Sequence, residues 1–230
     1  MTRRILTAII LSASGLGAVS ADAANLVANG SFESGLAGWT ISGSWESPYA
    51  PAAIFYNSTA GYPVGAFSEP VPQNNAPTNS PDGVGERAAY FVADNAVNQT
   101  LSQVFTVGAG QGGLYQVGFS AYAPLNGFNN ANDATFTATI AGNLLASYSV
   151  KSGVAQVWTT YASSGLLLAE GTHTVEFVFN SNGYPAADVV IDQVYVIKGD
   201  PPSVPLPAAA WLLLSGLGGL GFLGRRKAAS

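Results

Sequence analysis

Asp192 is a carboxylate in an otherwise apolar strand pattern. It lies between Val189 and Ile197, and strict alternation would place it on the same strand face as Val190, Val194 and Val196. A buried carboxylate is costly unless it is paired or bound to a cation. Calcium binds carboxylate and carbonyl oxygens. Two roles are therefore open for Asp192: a calcium ligand, or a carboxylate that accepts hydrogen bonds from backbone N–H groups at a strand end.

A second group of side chains suited to binding chemistry is aromatic. Trp45, Tyr56 and Tyr62 lie in or beside residues 46–86, a stretch that contains seven prolines together with Asn and Ser. Aromatic faces with amides nearby can stack on sugar rings, or they can pack the stretch onto the rest of the domain. We take these three residues as the candidate ligand-binding set.

Catalytic residue types are present, but the sequence indicates no catalytic arrangement of them. His173 is the only histidine and lies at the start of a strand pattern, whereas a catalytic histidine needs a nucleophile and an orienting acid nearby. The G-x-G-x-x-G pattern from Gly108 to Gly113 precedes a strand instead of opening a helix, so we interpret it as a hairpin turn. A glycosidase needs a pair of carboxylates. No pair stands out among Glu46, Glu69, Asp82, Glu86 and Asp94. We predict a non-catalytic protein, with a hydrolase as the less favoured alternative.

Charge excludes one class of partner. Residues 25–200 carry three bases and twelve acids, a net charge of −9, compared with −5 for the whole chain. Nucleic acid binding requires Lys and Arg facing phosphates, so nucleic acid is not expected as a partner, whereas neutral sugars and divalent cations are compatible. The chain has no cysteine, which excludes disulfides and thiolate metal sites.

The elements that must position these residues are strands. No stretch of residues 25–200 has a sustained helical period, whereas short alternating or apolar runs recur between turn residues. The predicted strands are 88–92, 101–107, 114–122, 135–140, 144–150, 157–161, 172–179 and 189–197. This number of short strands predicts an all-β fold, a jelly-roll β-sandwich. The prolines of residues 46–86 argue against central strands there, and we expect Trp39 and Trp158 to pack in the core.

Both ends of the chain carry targeting patterns. Arg3 and Arg4 precede an apolar run from Ile5 to Val19 and the cleavage pattern Ala21-Asp22-Ala23, which predicts a signal peptide over residues 1–24. A sandwich domain is then expected over residues 25–200.

Residues 201–230 form a three-part tail. Val204-Pro205-Leu206-Pro207 is followed by an uncharged run of 17 residues from Ala208 to Gly224 and by Arg225-Arg226-Lys227. The run is at the short end of the roughly 17–25 residues of a single transmembrane helix. Basic residues tend to stay on the cytoplasmic side, so residues 25–200 should lie outside.

This tail resembles the PEP-CTERM sorting signal of Gram-negative bacteria, in which a Pro-x-Pro motif precedes a transmembrane helix and an Arg-rich end. Leu206 stands where that family usually has Glu. The resemblance implies an exosortase-type partner, membrane anchoring that is at least transient, and a final location in the cell envelope or outside the cell. An ordinary C-terminal membrane anchor is the alternative.

A second resemblance concerns the domain itself. Asn29-Gly30-Ser31-Phe32-Glu33 followed by Gly38-Trp39 is similar to the opening of galactose-binding-like jelly rolls, which include carbohydrate-binding modules. Val190 to Val194 is similar to their closing strand, and Leu101 to Phe105 to an internal strand. In those modules a structural calcium often joins the first and last strands, which implies Glu33 and Asp192 as calcium ligands.

Together these features predict an exported, envelope-sorted, non-catalytic protein that binds extracellular polysaccharide. The alternative is a structural protein of the surface or matrix, built on the same sandwich without a defined glycan ligand.

Overall fold

The fold is an all-β sandwich of two antiparallel sheets, as the sequence predicts. A computed structural model describes residues 24–46, 49–58, 60 and 76–199. The first sheet has the strand order β1-β4-β9-β6-β7 and the second has the order β2-β3-β10-β5-β8. The strands are β1 (Thr40–Ser44), β2 (Ala52–Phe55), β3 (Arg87–Phe91), β4 (Val97–Val107), β5 (Gly113–Tyr122), β6 (Thr135–Ile140), β7 (Asn143–Ser149), β8 (Thr159–Leu168), β9 (Gly171–Asn180) and β10 (Val189–Lys198). A single helical turn, α1 (Leu125–Phe128), and a 3₁₀ turn, Val150–Ser152, complete the described elements.

The main core lies between the two sheets and follows from the alternation of the strands. On β6 every second residue is buried, and Phe136 lies between Phe119 of β5 and Phe177 of β9. The ring centroids of Phe119 and Phe177 are 5.1 Å apart, and each lies 6.0 Å from that of Phe136. Trp39 is 8% exposed and joins the same core, as predicted.

The glycine-rich segment from Gly108 to Gly113 does not form a hairpin, so that prediction was wrong. It connects β4 of the first sheet with β5 of the second, and β5 pairs instead with β8 and β10. The local turn signal was real, since Gln111 N–H donates to the Gly108 carbonyl at 3.0 Å. Which strands the turn joins was decided by the packing of the two sheets.

Residues 46–86 contribute one strand, and it lies at an edge. Within the described part of this stretch, β2 pairs only with β3, and Pro51 immediately precedes it. Proline cannot donate a ladder hydrogen bond, so the edge position agrees with the expectation that the stretch forms no central strand.

A β-bulge in β10 overturns the predicted alternation around Asp192. The register shifts between Asp192 and Tyr195, and Gln193 adopts a positive φ of 54°. Val190 and Asp192 therefore lie on the outer face of the second sheet, whereas Val194 and Val196 lie in the main core. A bulge adds one residue to a strand and so reverses the face of the residues that follow.

Several predictions fall outside the described residues. These are nearly all of the signal peptide, the transmembrane helix, the motif Val204 to Pro207, the basic residues Arg225 and Arg226, and Tyr62. Among the described residues, none belongs to a helix with the length and apolar character needed to cross a membrane.

Candidate functional site

Part of the second sheet is buried on both faces, because its outer face carries an apolar cluster of its own. Ala89 and Phe91 of β3 face the main core, whereas Ala88 and Tyr90 face outward. The outer cluster comprises Ile54, Ala76, Ala88, Tyr90, Val92, Tyr122 and Val190, with Tyr49, Tyr56 and Trp158 packed against it. The Pro-rich stretch therefore covers this face, and it brings aromatic side chains with it.

Three of these side chains form an aromatic cluster, defined here as Tyr56, Tyr122 and Trp158. The Trp158 ring lies 5.3 Å from that of Tyr122 at 51° and 6.5 Å from that of Tyr56 at 75°. The indole Nε1–H donates to the backbone carbonyl of Asn79 at 3.1 Å. Two ring contacts and one hydrogen bond thus fix the orientation of the indole, which is half-buried.

A cavity of about 450 Å³ opens beside the aromatic cluster. It is lined by Ala76, Pro77, Thr78, Asn79, Tyr122, Gln156 and Trp158, none of which is charged. Within the described residues, the Tyr122 hydroxyl has no hydrogen-bond partner, and burial raises the pKa of this group, so it is a neutral donor and acceptor. Gln156 has a positive φ of 61° and donates its N–H to the Ala123 carbonyl at 2.9 Å. A non-glycine residue with a positive φ is strained, and strained residues occur more often at functional sites than elsewhere.

Asp192 lies beneath Tyr56 at the edge of the same cluster. Its Oδ2 accepts a hydrogen bond from the Tyr56 hydroxyl at 2.7 Å, and its Oδ1 accepts one from the Gln193 N–H at 2.7 Å. Burial raises the pKa of Asp192 to about 7, these two hydrogen bonds act in the opposite direction, and the Asp82 and Glu33 carboxylates raise it further. Burial and the adjacent Asp192 keep Tyr56 protonated by raising its pKa far above the usual range.

Glu33 connects the opening motif to the start of β3. Its Oε1 accepts hydrogen bonds from the N–H groups of Glu86 and Arg87 at 2.9 and 3.1 Å. The Arg87 guanidinium in turn lies 4.0 Å from the centroid of the Phe55 ring. Glu33 thus holds the end of the Pro-rich stretch in place.

The fit of these carboxylates to calcium is partial. Glu33, Asp82 and Asp192 interact electrostatically and so concentrate negative charge, which suits a divalent cation. Yet both oxygens of Asp192 and one oxygen of Glu33 already accept hydrogen bonds. Across the described ranges, no three or more acidic, histidine or cysteine side chains are arranged to hold one metal ion. A calcium ion would have to share these oxygens with the hydrogen bonds that they already accept.

The predicted ligand-binding residues are only partly brought together. Tyr56 belongs to the aromatic cluster, but Trp45 follows β1 of the other sheet and, within the described residues, has no ring contact with Tyr56 or Trp158. Trp158 and Tyr122 were not predicted as site residues. Trp158 was expected to pack in the core between the sheets, and that prediction was wrong. Trp158 packs on the outer cluster, and its partner Asn79 is remote in sequence, so no local pattern could have revealed the site.

The outer face of the first sheet offers no comparable surface. The outward residues of β4, β6 and β9 are mainly hydroxyl-bearing, and the register places Thr100, Val178 and Thr137 in one row across these strands. Among the described strand residues of this face, none is aromatic. The described strands of this face therefore offer no aromatic ring on which a sugar could stack.

Three of the other candidates for catalysis, His173, Asp82 and Glu46, have structural partners. The His173 Nε2 lies 2.8 Å from the Ala169 carbonyl, and its ring stacks on Phe105 at 5.5 Å. Asp82 Oδ1 accepts hydrogen bonds from the Ser80 hydroxyl and the Val84 N–H, both at 2.9 Å. Glu46 accepts a hydrogen bond from the Asn95 side chain.

Comparison with known proteins establishes the fold. No family model matches the chain, and no curated protein matches it. Among solved structures, TmCBM61 in complex with β-1,4-galactotriose superposes with a TM-score of 0.51 at 20% identity, over 76% of this chain and 99% of that one. A CBM4 structure has a TM-score of 0.40 at 15% identity over 74% of this chain and 98% of its own. CBM36 in complex with calcium and xylotriose has a TM-score of 0.36 at 13% identity, over 68% and 92%. At 20% identity the similarity to TmCBM61 shows that this chain shares the sandwich fold of a carbohydrate-binding module.

Proposed function

We propose that this protein is an exported, non-catalytic protein that binds extracellular polysaccharide through the cavity beside Trp158 and Tyr122. The observation that carries the proposal is an uncharged cavity in which a half-buried indole, a phenol with no hydrogen-bond partner among the described residues, and amide side chains meet. Sugars have apolar ring faces that stack on aromatic rings and hydroxyl groups that exchange hydrogen bonds with amides and phenols. Such a mixture of apolar walls and a few polar groups is typical of small-molecule sites.

Electrostatics favour a neutral polysaccharide. The lining of the cavity carries no charge, and the domain has a net charge of −9. An anionic polymer would therefore meet repulsion without any basic side chain in the cavity to offset it. Because the TmCBM61 structure contains β-1,4-galactotriose, β-1,4-galactan is the first polysaccharide to test, followed by xylan and neutral glucans.

Titration calorimetry on the full chain, in a detergent without a sugar headgroup, tests this function. We expect one of the neutral polysaccharides to bind and Trp158→Ala to abolish that binding. Tyr184→Ala is the matched control, because Tyr184 is 59% exposed and does not line the cavity. Trp45→Ala and Tyr62→Ala should be measured separately, since both belong to the sequence-predicted set. Absence of binding to every glycan would favour the structural-protein alternative, and release of reducing ends would reveal a hydrolase.

The sorting function is part of the same proposal. We infer that residues 1–24 direct export and that Val204 to Pro207, the helix and the Arg225-Arg226 end direct sorting by an exosortase-type partner. The cavity suits this arrangement, because Tyr122 lies at one end of β5 and Lys198, near the chain exit, pairs with Tyr115 near the other end. A tether after Gly199 would therefore leave the cavity accessible to polymer.

A structural calcium at Glu33 and Asp192 completes the proposal. The support is the concentration of three interacting carboxylates around Tyr56. Bound calcium would join the opening motif to the closing strand and neutralise Asp192.

A further inference from the structure

We propose that the cavity binds the terminal sugar of a neutral chain or side branch, and not an interior stretch of polymer. This inference rests on the proposed function and specifies which part of the polysaccharide is bound. It follows from the angles between the rings, from the walls of the cavity and from the Tyr122 hydroxyl.

The ring angles allow only one sugar ring to stack on the aromatic cluster. An interior stretch of polymer would require aromatic faces presented side by side along an open surface. Here the Trp158 ring is inclined at 51° to Tyr122 and at 75° to Tyr56, and it packs against both. Tyr122 is 8% exposed and Tyr56 does not line the cavity, so Trp158 is the half-buried ring of the cluster that faces a ligand there.

The walls limit the site in the same way. Ala76 and Pro77 are buried, and the hydrogen bond from Trp158 Nε1 to the Asn79 carbonyl holds this segment against the indole edge. Gln156, fixed at a positive φ by its bond to Ala123, lines the cavity as well. The volume of about 450 Å³ is in the lower part of the roughly 300–1,000 Å³ typical of small-molecule pockets. It is the size of a site for one or two sugar units.

The polar groups of the cavity suit a chain end. A terminal sugar has a free hydroxyl at the position where an interior sugar carries a glycosidic oxygen, and a glycosidic oxygen cannot donate a hydrogen bond. The Tyr122 hydroxyl is free to accept from such a group and to donate to another. A site that hydrogen-bonds a hydroxyl discriminates against analogues that lack it.

Calorimetric competition tests the inference on the full chain in detergent. The probes are the methyl glycosides of galactose, glucose, xylose, mannose, arabinose and N-acetylglucosamine, together with galacto- and xylo-oligosaccharides of two to six units and the parent polymers. We expect one methyl glycoside to displace the bound polymer with a Kd within about tenfold of the best oligosaccharide. Extension beyond the disaccharide should change Kd by less than about threefold.

Two outcomes would overturn the inference in different ways. If a polymer binds but no methyl glycoside displaces it, and Kd falls at least tenfold from disaccharide to hexasaccharide, the chain-end inference fails while the proposed function stands. If no polymer, oligosaccharide or glycoside binds, both fail. Tyr122→Phe keeps the ring and removes only a hydroxyl that has no partner among the described residues, so we expect folding to be unchanged and Kd for the terminal sugar to rise about tenfold. Tyr184→Phe should leave Kd unchanged, and an unchanged Kd in Tyr122→Phe would remove the hydroxyl from the argument and count against chain-end selection.

Discussion

Gly30 lies directly against the carbonyl oxygen of Val194, so that a Cβ atom at Gly30 would be 2.0 Å from that oxygen. The Val194 N–H also donates to the Gly30 carbonyl at 2.9 Å. The opening motif therefore docks onto the bulge of the closing strand, which directly follows Asp192, the residue that bonds Tyr56.

This contact predicts that Gly30→Ala is destabilising. The methyl group would meet backbone that cannot move without disturbing the bulge, and overpacking of this kind costs about 1–3 kcal/mol. Urea unfolding should show the loss. Gly165→Ala is the control, because a Cβ there has no neighbour within 4 Å. Equal stability of the two variants would show that the docking contact is not constrained.

Loss of the Tyr56–Asp192 hydrogen bond should lower the free energy of unfolding more at high pH than at low pH. Tyr56→Phe removes a donor to Asp192, whose pKa burial raises to about 7. Hydrogen bonds to charged groups contribute about 1.5–3 kcal/mol and those between neutral groups about 0.5–1.5. Unfolding free energies at pH 8 and pH 5 should reveal the difference, and Tyr184→Phe should lose nothing at either pH. A cost that is the same at both pH values would contradict the expectation.

Because Asp188 is buried, we expect its contribution to the free energy of unfolding to fall as pH rises. Burial raises its pKa to about 7, although Tyr90 and the Ala93 N–H each donate to it at 2.8 Å, and Asp94 raises the pKa further. The unfolded-state pKa is about 3.9, so between about pH 4 and pH 7 the folded state holds the extra proton. The contribution of Asp188 is thus fully present at low pH and declines through this window, by at most about 1.4 kcal/mol per pH unit.

Asp188→Asn should flatten this dependence, because the amide does not titrate. Urea unfolding of both proteins between pH 4.5 and pH 7.5 measures the difference between their slopes. Parallel curves for the two proteins would mean that Asp188 titrates near its ordinary value.

Chelation tests the proposed calcium. A metal that binds only the folded state stabilises it by about 2.7 kcal/mol at roughly one hundred times its Kd. We expect chelator to lower the Tm of the protein, and Asp192→Asn to remove the difference. Glu176→Gln, on the outer face of the other sheet, should keep it. A melting curve that chelator leaves unchanged would end the calcium proposal.

Topology is tested by a reporter fused after Gly199. The export pattern of residues 1–24 and the basic end at Arg225-Arg226 predict that an alkaline phosphatase fusion is active. Changing Arg3 and Arg4 to Glu should reduce export of the fusion. Activity confined to a cytoplasmic reporter at the same position would contradict the proposed location.

Most strands of the fold could be predicted from the sequence, although β1 and β2 were not among the predicted strands. Phe136, Ala138 and Ile140 alternate with threonines, and β6 has the predicted bounds because a half-buried strand leaves a period of two in the sequence. The prolines around β2 likewise indicated that it could not be a central strand, since proline lacks the N–H that a central strand must donate. These are local properties of side chains and backbone, so they can be read along the chain.

The packing of these elements in three dimensions is what created the candidate site. It placed β4 and β5 in different sheets, put the bulge after Asp192, and brought Asn79, Tyr122 and Trp158 around one cavity. Each of these outcomes depends on contacts between residues far apart in the chain, whose free energy comes from packing and burial rather than from local conformational preference. Trp158 illustrates the difference, because its sequence context indicates a buried residue, but which face of the sandwich it packs on depends on where the Pro-rich stretch crosses the second sheet.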